Sequence, residues 1–236
     1  MALKAAGHEV VVSEKNGVLT KDELIAALKT HNPDAVLCLL TDKIDGAVLD
    51  AAPRAKIFAN YAVGFDNLDL AAAAERGVTF TNTPGVLTDS VAEHTVALIF
   101  AITKRIAEAD RFTRAGKYVG WAPMLLLGSD LKGRTLGILG AGRIGGRVAE
   151  ILGKGAGMKM LYYDIKQSPE MERSTGAEFR ASVEAVLKES DVVSIHVPLL
   201  DATRHFMNAE RLRMMKSSAY LINTSRGPVK IGRAHV

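Results

Sequence analysis

The stretch GILGAGRIGG, residues 137–146, constrains the fold more than any other part of this 236-residue chain. Gly140, Gly142 and Gly145 stand in a G-x-G-x-x-G spacing between an apolar run, TLGIL, and an amphipathic run, RIGGRVAEILGKGAG. Glycines so spaced occur in many turns. Between a strand and a helix the spacing acquires a physical meaning. Gly140 permits a tight turn, Gly142 lets backbone approach a pyrophosphate, and Gly145 lets the helix sit close on the strand. The first turn of that helix would offer free N–H groups and a positive dipole end to phosphates. A second run, MKMLYYD, ends at Asp164, nineteen residues past Gly145. A carboxylate there can accept hydrogen bonds from a ribose diol and would repel a 2′-phosphate. That favours NAD over NADP, tempered by Lys166 close by.

The rest of the chain repeats the alternation. HEVVVS (8–13), AVLCLL (35–40), KIFAN (56–60) and GVTFTN (77–82) read as strands bounded by turn residues. Between them lie TKDELIAALKT, opened by a capping box of Thr20 and Glu23, and LDLAAAAERG, closed by Gly77. Runs apolar throughout suit strands covered on both faces by helices, so the expected class is α/β with parallel sheets. NTPG (82–85) breaks the rhythm. A long helix is expected over 88–115, then a loop over 116–132, after which DVVSIHVP and AYLINT resume the alternation. The boundary falls near Asn82, giving lobes of 1–82 and 83–230.

Charge and cysteine content narrow the partners. The net charge of +4 is scattered, with no basic block, which argues against nucleic acid. The one cysteine, Cys38, lies in an apolar run, so it can form no disulfide within the chain. It reads as a buried inert thiol of a reducing cytoplasm, and no metal site is expected. No segment reads as a signal peptide or membrane span.

Three further stretches can carry chemistry. In YAVGFDNLD (61–69), Val63 and Gly64 follow a strand and could turn backbone N–H groups toward an anion. In TSRG (224–227), Arg226 follows AYLIN at the carboxyl end of a parallel strand. A guanidinium there can grip a carboxylate with two hydrogen bonds and polarise an adjacent carbonyl. His196 ends a strand at the cofactor side, where a packing or cofactor-lining role outweighs acid–base work. His94 reads as structural, and Trp121 and Met124 as filling the region between lobes.

Together, NYAVGFDNLD, TNTPGVLTDSVAEHTVAL, LKGRTLGILGAGRIG, SDVVSIHVPL and LINTSRGPV resemble the D-2-hydroxyacid dehydrogenase family. Within it, TPGVLTD and WAPMLLLG are most similar to the glyoxylate/hydroxypyruvate reductase branch. The resemblance implies a Rossmann dinucleotide-binding domain and a flavodoxin-like substrate-binding domain with the active site in the cleft. It implies that the backbone of Val63 and Gly64 holds the substrate carboxylate and that Arg226 binds and polarises a small 2-oxo acid as NADH delivers hydride. Thr88 would lie near the nicotinamide, Arg143 and Ile144 would join the glycines at the pyrophosphate, and the segments of Pro198, Thr203, Thr224 and Ser225 would line the ribose and nicotinamide. A homodimer through the helix near 88–115 is implied as well. The same scaffold also serves NAD(H)-sensing corepressors, an alternative in which a partner peptide replaces turnover.

The sequence departs from the family at both ends. The family's catalytic Glu and His lie beyond the TSRG turn, and no residue here matches either; His235 comes too early. Loss of the positioned acid typically costs about 10²–10⁴-fold in rate, so this chain is expected to turn over poorly. A first strand before LKAAGHEV is also lacking, so both domains are expected to be incomplete, marginally stable and prone to aggregate. The tail IGRAHV (231–236) is what a common sequencing adapter would encode, and is expected to be non-native.

Overall fold

Apolar runs bounded by turn residues become the strands of two parallel sheets, one in each of two units, Met1–Gly85 and Val86–Val236. The computed structural model describes residues 2–232. The architecture is α/β throughout.

The first unit runs α1 (Ala2–Ala5), α2 (Lys21–His31), β1 (Ala35–Leu39), α3 (Gly46–Asp50), β2 (Ile57–Tyr61), α4 (Leu70–Arg76) and β3 (Thr79–Thr81). Its strands lie in the order β1-β2-β3, all parallel. The capping box forms as expected: the Glu23 amide donates to the Thr20 hydroxyl, and the Thr20 amide to the Glu23 carboxylate. Gly77 closes α4 in the left-handed conformation. One core gathers Leu24 and Leu28 of α2, Val48 and Leu49 of α3, Cys38, Phe58, and Ala72 and Ala73 of α4. Cys38 is buried, and burial pushes its thiol up to about 11, in keeping with an unreactive role.

The second unit runs α5 (Thr88–Thr103), α6 (Ile106–Arg114), β4 (Thr135–Leu139), α7 (Arg143–Ala156), β5 (Lys159–Tyr163), α8 (Pro169–Thr175), β6 (Glu178–Phe179), α9 (Val183–Glu189), β7 (Val192–Ile195), α10 (Ala209–Met214) and β8 (Tyr220–Asn223). Its five parallel strands lie in the order β6-β5-β4-β7-β8. Cores form on both faces. One joins α5, α7 and α8 to Leu136, Ile138, Met160, Tyr162 and Ile222. The other joins α9 to Leu139, Val193, Ile195 and Met207.

Three expectations are corrected. Residues 8–13 form no strand, and Val11 and Val12 are exposed. An apolar run becomes a strand only where a neighbour supplies ladder partners, and none of the described residues does so. Among the described residues the sheet of the first unit is covered on one face: in β1, Cys38 is buried while Leu37 is 71% exposed. The helix over 88–115 is broken. Arg105 sits at φ 55°, and the Thr103 carbonyl, which a continuous helix would bond to Ala107, instead accepts the Ser129 amide at 2.7 Å. Trp121 and Met124 are 82% and 78% exposed. His94 is likewise exposed. Of the tail at 231–236, Ile231 donates its amide to the Met207 carbonyl at 3.0 Å, and residues 233–236, His235 included, lie outside the described residues.

Candidate functional site

In a parallel sheet all strands end on one edge, and ligands gather where strand order reverses. In the second unit that point is the junction of β4 with β7. Gly140 leaves β4 at φ 105°, a conformation that side chains rarely adopt. A Cβ there would also stand 2.8 Å from the backbone carbon of His196, at the end of β7. Only glycine fits. A Cβ on Gly145 would run into the Gly140 carbonyl oxygen, so α7 presses on the strand as the spacing implied. Around Gly142 the space is open.

The amides of this loop divide into two groups. Gly140 donates to the Tyr163 carbonyl at 2.9 Å and Ala141 donates to Asp164 Oδ2 at 2.7 Å. The amides of Gly142, Arg143, Ile144 and Gly145 make no hydrogen bond among the described residues, at the head of a fourteen-residue helix without a side-chain cap. Such a cluster of unspent donors at a helix N-terminus is an anion site. The Arg143 side chain is exposed beside it, whereas Ile144 packs against the core. Asp164 stands at the tip of β5, its second oxygen accepting the Ile165 amide at 2.6 Å.

On the other side of the glycine loop, His196 follows β7. The residue retains some exposed surface, yet burial of its ring pushes the pKa down to about 4, so it is neutral at pH 7. The ring nitrogen Nε2 lies 2.8 Å from the hydroxyl of Ser194, which is fully buried. Thr203 spends its hydroxyl on the turn that follows, donating to the Pro198 carbonyl and accepting the Leu200 amide at 2.8 Å. Pro198 itself is exposed.

Beyond β8, Asn223 organises the TSRG turn. Its amide nitrogen donates to the Arg226 carbonyl at 2.8 Å, and its oxygen accepts the Ser225 amide and hydroxyl. Arg226 Nη1 donates to the Ser225 carbonyl at 3.0 Å. Thr224 lies 2.8 Å from Thr95, a fully buried residue of α5, and Thr88 opens that helix.

The first unit holds its own candidate turn in the same manner. Asn60 donates to the Gly64 carbonyl and Asn82 to the Val63 carbonyl, each at 2.9 Å. The carbonyls are thus tied back, and the amides of Val63 and Gly64 donate to nothing among the described residues. Asn67 adds bonds to the carbonyls of Leu39 and Asp42. Residue-by-residue reading missed Asn60, Asn82, Asn223, Ser194 and Thr95. The first three shared a signal: each is a polar residue within one position of a strand's carboxyl end, Asn60 and Asn223 stapling the turn beyond their own strand and Asn82 the turn beyond β2. Among the described residues no cluster of His, Cys, Asp or Glu could hold a metal, and no helix is long and apolar enough to cross a membrane.

A glycine loop of this form at the switch point of a sheet ordered β6-β5-β4-β7-β8 defines a Rossmann-like dinucleotide-binding domain. Residues 96–231 match the family model for D-isomer specific 2-hydroxyacid dehydrogenase, NAD binding domain. The chain belongs to that family. It is 48% identical over 228 residues to a glyoxylate reductase of Thermofilum pendens, covering 96% of this chain and 66% of that protein. A glyoxylate reductase of Aeropyrum pernix is 51% identical over 205 residues, covering 85% and 61%. The chain therefore spans 61–66% of the length of these relatives. Among solved structures, the TT0316 protein of Thermus thermophilus superposes with a TM-score of 0.89 at 40% identity, covering 98% of this chain and 71% of that one. D-Lactate dehydrogenase of Aquifex aeolicus, solved with NAD and lactic acid, gives 0.78 at 35% identity, covering 87% and 60%.

Proposed function

We propose that the second unit binds NAD(H) along the carboxyl edge of its sheet, and that the whole protein transfers hydride between NADH and a small 2-oxo acid, glyoxylate or hydroxypyruvate. The observation that carries this reading is the loop after β4, where four unspent amides stand beside the Asp164 carboxylate. Those amides and Arg143 would hold the pyrophosphate, with Ile144 seating the helix. Asp164 would give up Ala141 to accept the ribose diol, and its charge opposes a 2′-phosphate.

The nicotinamide half then lies toward β7 and β8, lined by the segments of Thr88, His196, Pro198, Thr203, Thr224 and Ser225. When bound, the dinucleotide supplies the hydride. Arg226 grips the carboxylate of the 2-oxo acid and polarises its carbonyl; within the first unit, the unspent amides of Val63 and Gly64 are its own candidate group for holding a carboxylate. Glyoxylate reductases at about half identity support this choice of substrate class.

A homodimer belongs to the same proposal, built on the region around α5 and α6. Its support is apolar surface on and just beyond those helices: Ile106, Tyr118, Val119, Trp121, Met124 and Leu127 are all exposed. A reducing cytoplasm suits the buried Cys38 thiol.

Titration calorimetry of this chain with NADH and NADPH tests the reading. NADH should bind more tightly by about tenfold, equivalent to about 1.4 kcal/mol, and Asp164→Ala should narrow that ratio. A chain that takes up neither nucleotide would end the proposal; an unchanged ratio in the variant would remove Asp164 from it.

A further inference from the structure

We propose that Thr95 sets the direction of the Thr224 hydroxyl, so that Thr224 presents only acceptor lone pairs to the sheet edge. It thereby selects a ligand with an N–H donor at that point, the primary amide of nicotinamide. The inference rests on the reading above, in which the nicotinamide half lies toward β8.

The argument is one of counting protons. A threonine hydroxyl has one proton to give and two lone pairs. Thr95 Oγ1 lies 2.7 Å from the Val91 carbonyl and 2.8 Å from Thr224 Oγ1. A carbonyl can only accept, so the single Thr95 proton goes to Val91. Thr224 must then be the donor in the second bond, and its only proton is spent inward. Thr95 is fully buried in α5, whereas Thr224 keeps exposed surface at the end of β8. What Thr224 offers outward is oxygen lone pairs alone.

The strand order gives this polarity a use. Asp164 ends β5 on one side of the glycine loop, and Thr224 follows β8 on the other. Two strand spacings separate β8 from β4, about 10 Å along the edge. A dinucleotide with its adenosine ribose on Asp164 and its pyrophosphate on the loop extends its other half toward Thr224. The carboxamide NH₂ is the donor such a group can meet. Thr95 touches no ligand; it is a positioning residue that acts through Thr224.

The test compares NAD with its 3-acetylpyridine analogue, in which a methyl group replaces the amide NH₂, by calorimetry on the unmodified chain, Thr95→Val and Thr95→Ser. The unmodified chain should prefer NAD by about 3- to 10-fold, the worth of one hydrogen bond. In Thr95→Val the Thr224 hydroxyl is released to donate to the carbonyl that both ligands share, and the ratio should fall toward one. Thr95→Ser should keep the preference. A structural role alone would weaken both ligands together and leave the ratio as it was; that result overturns the inference, as does an unmodified chain that binds both equally well. If Thr95→Val does not fold, Thr224→Ala should also bring the ratio toward one, and an unmodified ratio in that variant overturns the inference. A chain that binds neither ligand defeats the NAD reading and this inference together, which distinguishes it from equal binding of both.

Discussion

The two parallel sheets of this chain are built from similar runs of sequence and end up in different surroundings. In the second unit, β4 and β7 are buried almost residue for residue, with a helix layer and a core on each face. In the first unit, β1 and β2 alternate: Cys38, Phe58 and Asn60 point into the core, while Leu37, Leu39 and Tyr61 stay exposed. A strand packed on both faces has its position fixed from two sides, and the loop at its end inherits that precision. The glycine loop after β4 is such a loop. The turn at Val63 and Gly64 lacks that support and is held by the side-chain amides of Asn60 and Asn82. Two routes lead to the same product: backbone N–H groups left unspent among the described residues.

The largest expected effect comes from putting a methyl group where the two-sided packing leaves no room. Gly140→Ala adds a Cβ 2.8 Å from the His196 backbone, at a φ of 105°. Neither strand can shift without breaking a core on each face, so the cost should reach about 3 kcal/mol or more. NADH binding should be lost with it. Gly142→Ala is the matched control, because its Cβ meets open space at φ −74°. Its folding should stay within about 0.5 kcal/mol of the parent while NADH affinity drops about tenfold or more. Denaturant unfolding and calorimetry separate the two. If Gly140→Ala folds and binds as the parent does, the two-sided packing is not what fixes the loop.

Acid should also tell the units apart. Folded His196 takes up a proton only near pH 4, whereas an unfolded histidine does so near 6.5. The neutral buried ring therefore contributes its full stability above about pH 6.5, and that contribution is lost as the pH falls through 4. By linkage the loss approaches about 3 kcal/mol at pH 4. The histidines of the first unit, His8 and His31, are exposed. Hydrogen exchange between pH 6.5 and 4 should show protection falling earlier in the strands around β7. His196→Gln, which keeps a neutral partner for Ser194, should flatten that dependence. An equal decline in both units, untouched by the variant, would remove His196 as its source.

How far the sequence could be read follows the same divide. Local chemistry was legible: the Thr20 and Glu23 capping box, the Gly77 cap, the roles of Gly140 and Gly145, and strands such as IFANY in the first unit and KMLYY in the second. What depended on a distant neighbour was not. VVV at 10–12 has strand chemistry but no ladder partner among the described residues. The break at Arg105 is made by Ser129, twenty-four residues later, reaching back to Thr103. Ser194 and Thr95 look like ordinary residues of apolar elements until His196 and Thr224 are brought against them. The glycine loop could be read in advance because its spacing encodes a backbone shape, while a hydroxyl's partner is settled only by packing.

The smallest expected effect is the most direct probe of that divide. Leu37 in β1 and Val193 in β7 are both apolar strand residues, one 71% exposed and the other fully buried. Threonine keeps strand propensity and adds a hydroxyl at either site. Val193→Thr places that hydroxyl in a core lined by Val183, Val186 and Ile195, and should cost about 1–3 kcal/mol. Leu37→Thr should change stability by less than about 0.5 kcal/mol, because no core receives it. Denaturant midpoints for both variants, measured across a range of protein concentration, decide the matter. Equal losses at the two sites would mean that the outer face of the first sheet is covered in solution. A loss at Leu37 that grows with concentration would identify the cover as a second copy of the chain.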